Sequence, residues 1–155
     1  MKILITGGIG FIGSHLTSEL GQTHHVDILD GFTNDYVSFK YIHRGTRGLE
    51  ETNDIEKKHR TLNLRYRLDL IKGKFNKIYN NHSFDSHIPL ENYDLIINCG
   101  ALSEAILSKY FPEFTRDSIV VGLARLKKCF PNTPCLHISS SMVYGTWEGV
   151  IDEQY

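Results

Sequence analysis

A glycine-rich stretch close to the first residue constrains the fold more than any other feature of the sequence. Residues 6–13 read TGGIGFIG, which satisfies GxGxxG through Gly8, Gly10 and Gly13 and also GxxGxxG through Gly7, Gly10 and Gly13. The run Lys2–Thr6 before it is apolar enough for a buried strand. Ile12, Leu16 and Leu20 then recur at helical spacing, and Gly21 offers a C-terminal cap. The pattern therefore predicts a strand, a tight glycine turn and a helix.

That arrangement is the one a dinucleotide-binding loop requires. The glycines allow a tight turn and let the backbone approach a pyrophosphate, and the free N–H groups of the helix face the phosphates. The strand and the amphipathic helix supply the context without which a glycine pattern is weak evidence. We therefore predict that Gly7, Gly10, Phe11, Ile12 and Gly13 contact a bound dinucleotide.

An acidic residue about 20 positions after the loop is the second requirement, because it accepts hydrogen bonds from the adenosine ribose. Asp30 lies at that distance from Gly10 and closes the apolar run Val26–Leu29, whereas the alternative, Asp27, falls within the strand. A carboxylate at Asp30 would repel a 2′-phosphate, so NAD is predicted over NADP. A domain of the same fold that binds no cofactor is the alternative interpretation.

The remaining pattern alternates strands with helices. Strands are predicted at His25–Asp30, Leu64–Leu68, Tyr93–Cys99 and Cys135–Ser139, with a helix over Ser118–Lys128. Such alternation favours right-handed βαβ units. The predicted fold class is α/β, a Rossmann-type doubly wound parallel sheet of about five strands that is incomplete at residue 155.

Bulk composition argues against several functional classes. A net charge of −1 gives no field that would attract nucleic acid, and no apolar run is long enough to cross a membrane. The three cysteines form no CxxC pair, and the eight histidines form no HxxxH or HExxH pattern, so no metal site is expected. Reduced thiols and the lack of a signal-peptide core predict a cytoplasmic protein.

Several ordered motifs resemble those of the extended short-chain dehydrogenase/reductase family, which includes UDP-glucose 4-epimerase-like enzymes and nucleotide-sugar dehydratases. The first motif resembles TGGxGFIG almost letter for letter. The others are Leu29-Asp30-Gly31, Leu68-Asp69-Leu70, Ile97-Asn98-Cys99-Gly100-Ala101 and the segment from Ser139 to Gly145, which resembles SSxxVYG. The resemblance covers nearly the whole chain.

This resemblance implies roles for individual residues. Asp69, after the third strand, would bond the adenine amino group, and Leu70 would touch the ring. The segment Cys99, Gly100 and Ala101 would run beside the cofactor. Ser140 would be the catalytic residue that hydrogen-bonds the substrate oxygen; the alternative is that Ser139–Ser141 only satisfy backbone groups at a strand end. Tyr144 is expected to pack under its loop.

Four positions depart from the family pattern. Gly31 stands where the family usually has asparagine, and the segment Ile119–Leu123 lacks the asparagine of the family's NVxGT. Ser141 and Met142 stand where dehydratases usually carry Asp-Glu, and neither side chain performs that acid-base chemistry. The resemblance therefore favours an epimerase or a reductase over a 4,6-dehydratase.

The catalytic tyrosine and lysine of this family, in the pattern YxxxK, would lie beyond Tyr155. Residues 36–40 match YxxxK literally but follow the second strand, so Tyr36 and Lys40 are not expected to be catalytic. Residues 1–155 are expected to be the NAD-binding domain of a longer enzyme with a C-terminal substrate domain. The resemblance implies a nucleotide-sugar substrate and a homodimer. A stand-alone, non-catalytic NAD-binding module and an NAD(P)-dependent reductase are the alternatives.

Overall fold

The computed structural model describes residues 1–31, 54–83, 88, 91–102, 108–109, 111–145 and 149, with only the backbone described at 54–60 and 141–142. The strands are β1 (Lys2–Thr6), β2 (His25–Leu29), β3 (Lys77–Tyr79), β4 (Leu95–Asn98) and β5 (Cys135–His137). The α-helices are α1 (Phe11–Leu20), α2 (Asp54–Ile71), α3 (Pro112–Arg116) and α4 (Gly122–Cys129). A π-helical turn, Asp117–Val121, joins α3 to α4, and a 3₁₀ turn, Ser141–Tyr144, follows β5.

The five strands form one parallel sheet in the order β3-β2-β1-β4-β5. β2 and β3 follow β1 on one side of it, and β4 and β5 then follow on its other side. This is the doubly wound arrangement of a Rossmann-type fold. The fold class predicted from the sequence is therefore confirmed.

The central strands β1, β2 and β4 are buried on both faces, and successive residues of each strand point to opposite faces. Ile3, Ile5 and Val26 point to one face, where they pack with Leu16 and Leu20 of α1. On the opposite face, the residues that pack together come from β1, β2, β4 and α4 and the loops beside them: Leu4, Leu29, Ile96, Leu126, Phe130 and Tyr93. Burial on both sides explains why the strands read as unbroken apolar runs in the sequence.

Most predicted elements lie where the sequence placed them, and one does not. β1 has the predicted bounds, and β2, β4 and β5 are shorter than predicted by one, three and two residues, respectively. The prediction of a strand at Leu64–Leu68 is wrong, because these residues belong to α2. Leucine and arginine favour helices, and Leu64 packs against the buried Ile9, Ile28 and Ile71 from a helical position. The third strand is instead Lys77–Tyr79.

The helical segment over residues 112–129 begins earlier than the predicted Ser118. Pro112 stands at the first helical position, where its missing N–H costs nothing. Lys127 and Lys128 occupy the last turn of α4, where cations favour the helix dipole. Within the described parts of the chain, no helix combines the length and the apolar character needed to cross a bilayer.

Candidate functional site

The carboxyl ends of β1 and β4 lie at the switch point of the sheet. β2 and β3 lie on one side of β1, and β4 and β5 lie on the other. Open α/β sheets bind ligands in the crevice at such a point, since the loops there diverge. The two loops also approach closely at their base: a Cβ on Gly7 would lie 2.8 Å from the Cα of Gly100. Two of the residues predicted to bind a cofactor are therefore neighbours across the crevice.

The loop between β1 and α1 is built by backbone hydrogen bonds. Gly7 has a φ of 65°, in the left-handed region that glycine tolerates, and its amide donates to the carbonyl oxygen of Leu29 at 2.8 Å. The amide of Gly10 donates back to the carbonyl oxygen of Gly7 at 2.9 Å. α1 then begins at Phe11 with no side chain capping its first turn. Its first N–H groups are thus available to an anion.

Two glycines of this loop serve different purposes. A Cβ on Gly13 would overlap the carbonyl oxygen of Gly7 and lie 2.8 Å from the Cα of Gly8, so Gly13 allows the helix to pack on the loop. Among the described residues, a Cβ on Gly10 would meet the carbonyl group of Gly7, with its oxygen at 3.0 Å, and nothing else within 4 Å. Gly10 thereby leaves a cradle that a Cβ would partly fill and that fits a pyrophosphate.

Asp30 lies beside this loop, and Asp27 does not. The amide of Ile9 donates to Oδ2 of Asp30 at 2.9 Å, so the carboxylate borders the glycine turn. Asp27 is fully buried, accepts a hydrogen bond from the Tyr93 hydroxyl at 3.0 Å and lies 3.9 Å from the Lys2 ammonium. Asp27 therefore belongs to a structural cluster near the amino ends of the strands. The geometry favours Asp30 as the acid next to a dinucleotide.

Asp69 and Leu70 do not follow the third strand, so the placement inferred for them was wrong. Both lie in the last turn of α2, where Asp69 is exposed and its carbonyl accepts from the amide of Lys72. Their proposed contact with adenine thereby loses its basis. The residues that do follow β3 are Asn80–Ser83, which the sequence interpretation missed. Lys77–Tyr79, with one apolar residue between two polar ones, carried no recognisable strand signal.

A row of polar side chains crosses the carboxyl ends of β1, β4 and β5. The Thr6 hydroxyl donates to Oδ1 of Asn98 at 2.5 Å, and Nδ2 of Asn98 lies 3.0 Å from Nδ1 of His137. Because Oδ1 accepts from Thr6, Nδ2 must donate, and Nδ1 of His137 must accept. The Thr6 oxygen in turn accepts from the amide of Gly100 at 3.1 Å. This polar row positions the loop after β4.

The loop after β4 is held from both sides. The amide of Cys99 donates to the carbonyl oxygen of Thr6 at 3.1 Å, and the amide of Leu102 donates to the hydroxyl of Ser118 at 3.3 Å. Burial raises the pKa of the Cys99 thiol to about 11, so this thiol stays protonated at neutral pH and is a poor nucleophile. Ala101 is exposed. The segment can border a ligand through its backbone.

Ser140 lies beyond the carboxyl end of β5, on the edge-strand side of the crevice. Its side chain is exposed, and its carbonyl accepts from the amide of Val143 at 3.1 Å, which opens the 3₁₀ turn. The exposed position is compatible with a contact to substrate, and the catalytic role stays a prediction. Tyr144 is 38% exposed, which is more than the predicted packing role would leave. Tyr36, Lys40 and the segment after Gly149 lie outside the described residues.

Comparisons with known proteins agree with this fold. A family model described as GDP-mannose 4,6 dehydratase matches residues 4–154. Protein CapI of Staphylococcus aureus is 33% identical over 94% of the chain, and a bifunctional UDP-glucose 4-epimerase and UDP-xylose 4-epimerase 1 of Pisum sativum is 26% identical over 96%. The chain spans 39% of the length of each of these relatives.

Among solved structures, UDP-glucuronic acid 4-epimerase from Bacillus cereus in complex with UDP-glucuronic acid and NAD has a similar fold. The TM-score is 0.70 at 21% identity, and the alignment covers 99% of this chain and 45% of that one. At this level of identity the similarity supports the fold.

Proposed function

Because the chain belongs to the family described as GDP-mannose 4,6 dehydratase, we propose that it binds NAD between the loops after β1 and β4 as part of a nucleotide-sugar epimerase. The observation that carries this proposal is the position of Asp30. Its carboxylate accepts the amide of Ile9 at 2.9 Å and so stands beside the uncapped N-terminus of α1. This contact supports the assignment of the helix end to a phosphate and of the neighbouring acid to a ribose, the two groups that a dinucleotide presents together.

The chain's own residues divide the task of holding NAD. The amides at the start of α1 receive the pyrophosphate, and Asp30 receives the adenosine ribose. Gly100 and Ala101 border the cofactor from the other side of the crevice. Phe11 is 73% exposed and Ile12 48% exposed at the same helix end, so a bound dinucleotide would cover apolar surface there. The carboxylate of Asp30 leaves no favourable place for a 2′-phosphate, which supports NAD over NADP.

Epimerisation is the reaction we propose, for which NAD supplies a reversible hydride acceptor when bound. Ser140 would donate a hydrogen bond to the sugar oxygen that becomes a carbonyl. Ser141 and Met142 provide no acid-base pair for the elimination of water, which supports epimerisation over dehydration. The relative from Pisum sativum is described as a 4-epimerase, which agrees with this choice.

The substrate and the assembly are proposals about the whole protein, since the chain spans 39% of the curated relatives' length. The substrate class we propose is a nucleotide sugar, because the relative from Pisum sativum is described as acting on UDP-sugars. A homodimer and a cytoplasmic location remain predictions made from the resemblance and from the composition.

Titration with NAD tests the proposal directly. The wild-type protein should bind NAD by isothermal titration calorimetry, and Gly10→Ala should weaken binding about tenfold or more, because the added Cβ enters the pyrophosphate cradle. Glu19→Ala, at the exposed far end of α1, is the control and should leave affinity unchanged. Full NAD affinity in a folded Gly10→Ala variant would refute the assignment of the phosphate loop.

The same titration with NADP tests the role of Asp30. Wild-type protein should prefer NAD, and Asp30→Ala should narrow that preference because the repulsion of the 2′-phosphate is removed. An unchanged preference would show that another group selects the cofactor.

A further inference from the structure

The imidazole of His82 occupies the space that a side chain at residue 31 would need. A Cβ built on Gly31 would overlap two atoms of the His82 ring and lie 2.6 Å from a third, Nε2. Gly31 directly follows Asp30, so the ring stands beside the carboxylate assigned to the ribose. Gly31 and His82 are thus complementary: the glycine leaves a gap at the end of β2, and the loop after β3 fills that gap.

The ends of the two strands hold this arrangement together. The amide of Asp30 donates to the carbonyl oxygen of Tyr79 at 3.0 Å, which joins the end of β2 to the end of β3. His82 follows three residues later and is half-buried. The loop that carries His82 therefore leaves the sheet at the same edge as Asp30.

The helical segment over residues 112–129 supports the ring from behind. Phe114 meets the imidazole edge-on, with ring centroids 5.8 Å apart and an interplanar angle of 88°. The neighbouring Ser83 is buried, and a Cβ on Gly122 would overlap its hydroxyl, so the loop packs tightly on the helix. The imidazole is consequently packed against its neighbours rather than held as a loose side chain.

We propose that His82 forms the wall of the adenine pocket and replaces, from the β3 loop, the side chain that residue 31 lacks. This inference rests on the proposed NAD-binding function. A purine ring presents a flat π face, and aromatic side chains bind such faces by stacking with little dependence on substituents. The adenine moiety is the part of NAD that lies next to the ribose, and the ribose is assigned to Asp30.

The proposal is tested by measuring the binding of NAD and of ADP-ribose to the purified full-length protein. His82→Gln should weaken both ligands roughly tenfold because the ring is lost, whereas His82→Phe should keep affinity within about threefold because it keeps a flat ring against Phe114. His25→Gln is the matched control, since His25 is exposed at the amino end of β2. It should bind both ligands like the wild type.

A double-mutant cycle links His82 to Gly31. Gly31→Ala should weaken NAD binding in the wild-type background, because the methyl group displaces the ring. The same change should have no effect in the His82→Gln background, where no ring is left to displace. Unfolding midpoints measured alongside identify variants that lose affinity through misfolding.

The outcomes separate the two proposals. If the wild type fails to bind NAD, the proposed function fails, and this inference fails with it. If the wild type binds and a folded His82→Gln variant binds equally well, the His82 assignment alone is overturned. Tighter binding by His82→Gln would also overturn it, by showing that the ring obstructs the pocket.

Discussion

At the scale of single residues, the polar row Thr6, Asn98 and His137 shows how one hydroxyl serves two elements. The Thr6 oxygen donates to Asn98 and accepts the amide of Gly100, and both Thr6 and Asn98 are almost completely buried. A buried polar group without a partner costs free energy. Both hydrogen bonds are made by the Thr6 hydroxyl, so loss of that hydroxyl would leave both partners unpaired there. The hydroxyl thereby fixes the start of the loop that borders the proposed cofactor.

We expect Thr6→Val to lower the free energy of unfolding by ~1–3 kcal/mol, because it leaves buried polar partners unpaired in a side chain of the same shape. Hydrogen exchange should show that the Gly100 amide loses protection. Thr133→Val is the control: its hydroxyl donates to the carbonyl of Tyr93 at 3.3 Å, before the amino end of β4 and away from this loop. Unchanged protection at Gly100 would contradict the positioning role of Thr6.

At the scale of elements, Glu91 joins two strands that are not neighbours. It accepts hydrogen bonds from the ammonium of Lys2 in β1, from Lys77 in β3 at 2.5 Å and from the Tyr79 hydroxyl at 2.8 Å. The hydrogen bonds from Lys2, Lys77 and Tyr79 lower the pKa of Glu91 from 4.5 to about 2. The carboxylate of Glu91 therefore links the amino end of β1 to β3, although β2 lies between these two strands in the sheet.

The lowered pKa of Glu91 determines how the stability of the fold should change with pH. A carboxyl group whose pKa is lower in the folded state stabilises the fold above its ordinary pKa, and this contribution is lost as the pH falls through the folded value. We expect Glu91→Gln to lower the unfolding midpoint at pH 7. The difference from the wild type should shrink between about pH 4.5 and about pH 2.

The control for this experiment is Glu19→Gln on α1, where the exposed carboxylate accepts a hydrogen bond from Gln22 at 3.1 Å. Its unfolding midpoint should follow that of the wild type across the same range. A Glu91→Gln difference of constant size down to pH 2 would show that Glu91 does not act through its charge.

At the scale of the whole molecule, the proposed site is divided between two sides of the switch point. Asp30 and His82 lie on the β2 and β3 side, and Ser140 lies on the β5 side. Cofactor binding and catalysis should therefore respond to different substitutions. In the whole protein, Ser140→Ala should lower kcat by about 10²-fold, as expected for the loss of a hydrogen bond to a developing oxyanion, and leave NAD affinity unchanged.

Turnover of UDP-sugars by the whole protein measures that effect. Ser139→Ala is the matched control, because it is an adjacent exposed serine with no assigned substrate contact. Equal losses of kcat in both variants would show that the serines only satisfy the backbone at the end of β5. A loss confined to Ser140→Ala would support its catalytic role.

The sequence by itself determined the fold class, and it predicted the phosphate loop and the role of Asp30. Parallel strands buried on both faces read as unbroken apolar runs, as at Lys2–Thr6, and a helix packed on one face reads as a 3.6-residue period. Part of the glycine pattern is equally local, since a Cβ on Gly10 or Gly13 would meet the backbone of residues 7–8. These signals need no knowledge of distant contacts, whereas Gly7 and Gly8 also leave room for Gly100 and Ile28.

Only the tertiary structure decided which strand is third and what surrounds the adenosine side. β3 has three residues, of which one is apolar, so its pairing with β2 rather than its own composition makes it a strand. That pairing removed Asp69 from the site and brought His82 against Gly31, 51 positions away in the chain. The polar row across β1, β4 and β5 is equally non-local. Contacts between distant segments leave no periodic pattern, because they follow from the packing of the whole sheet.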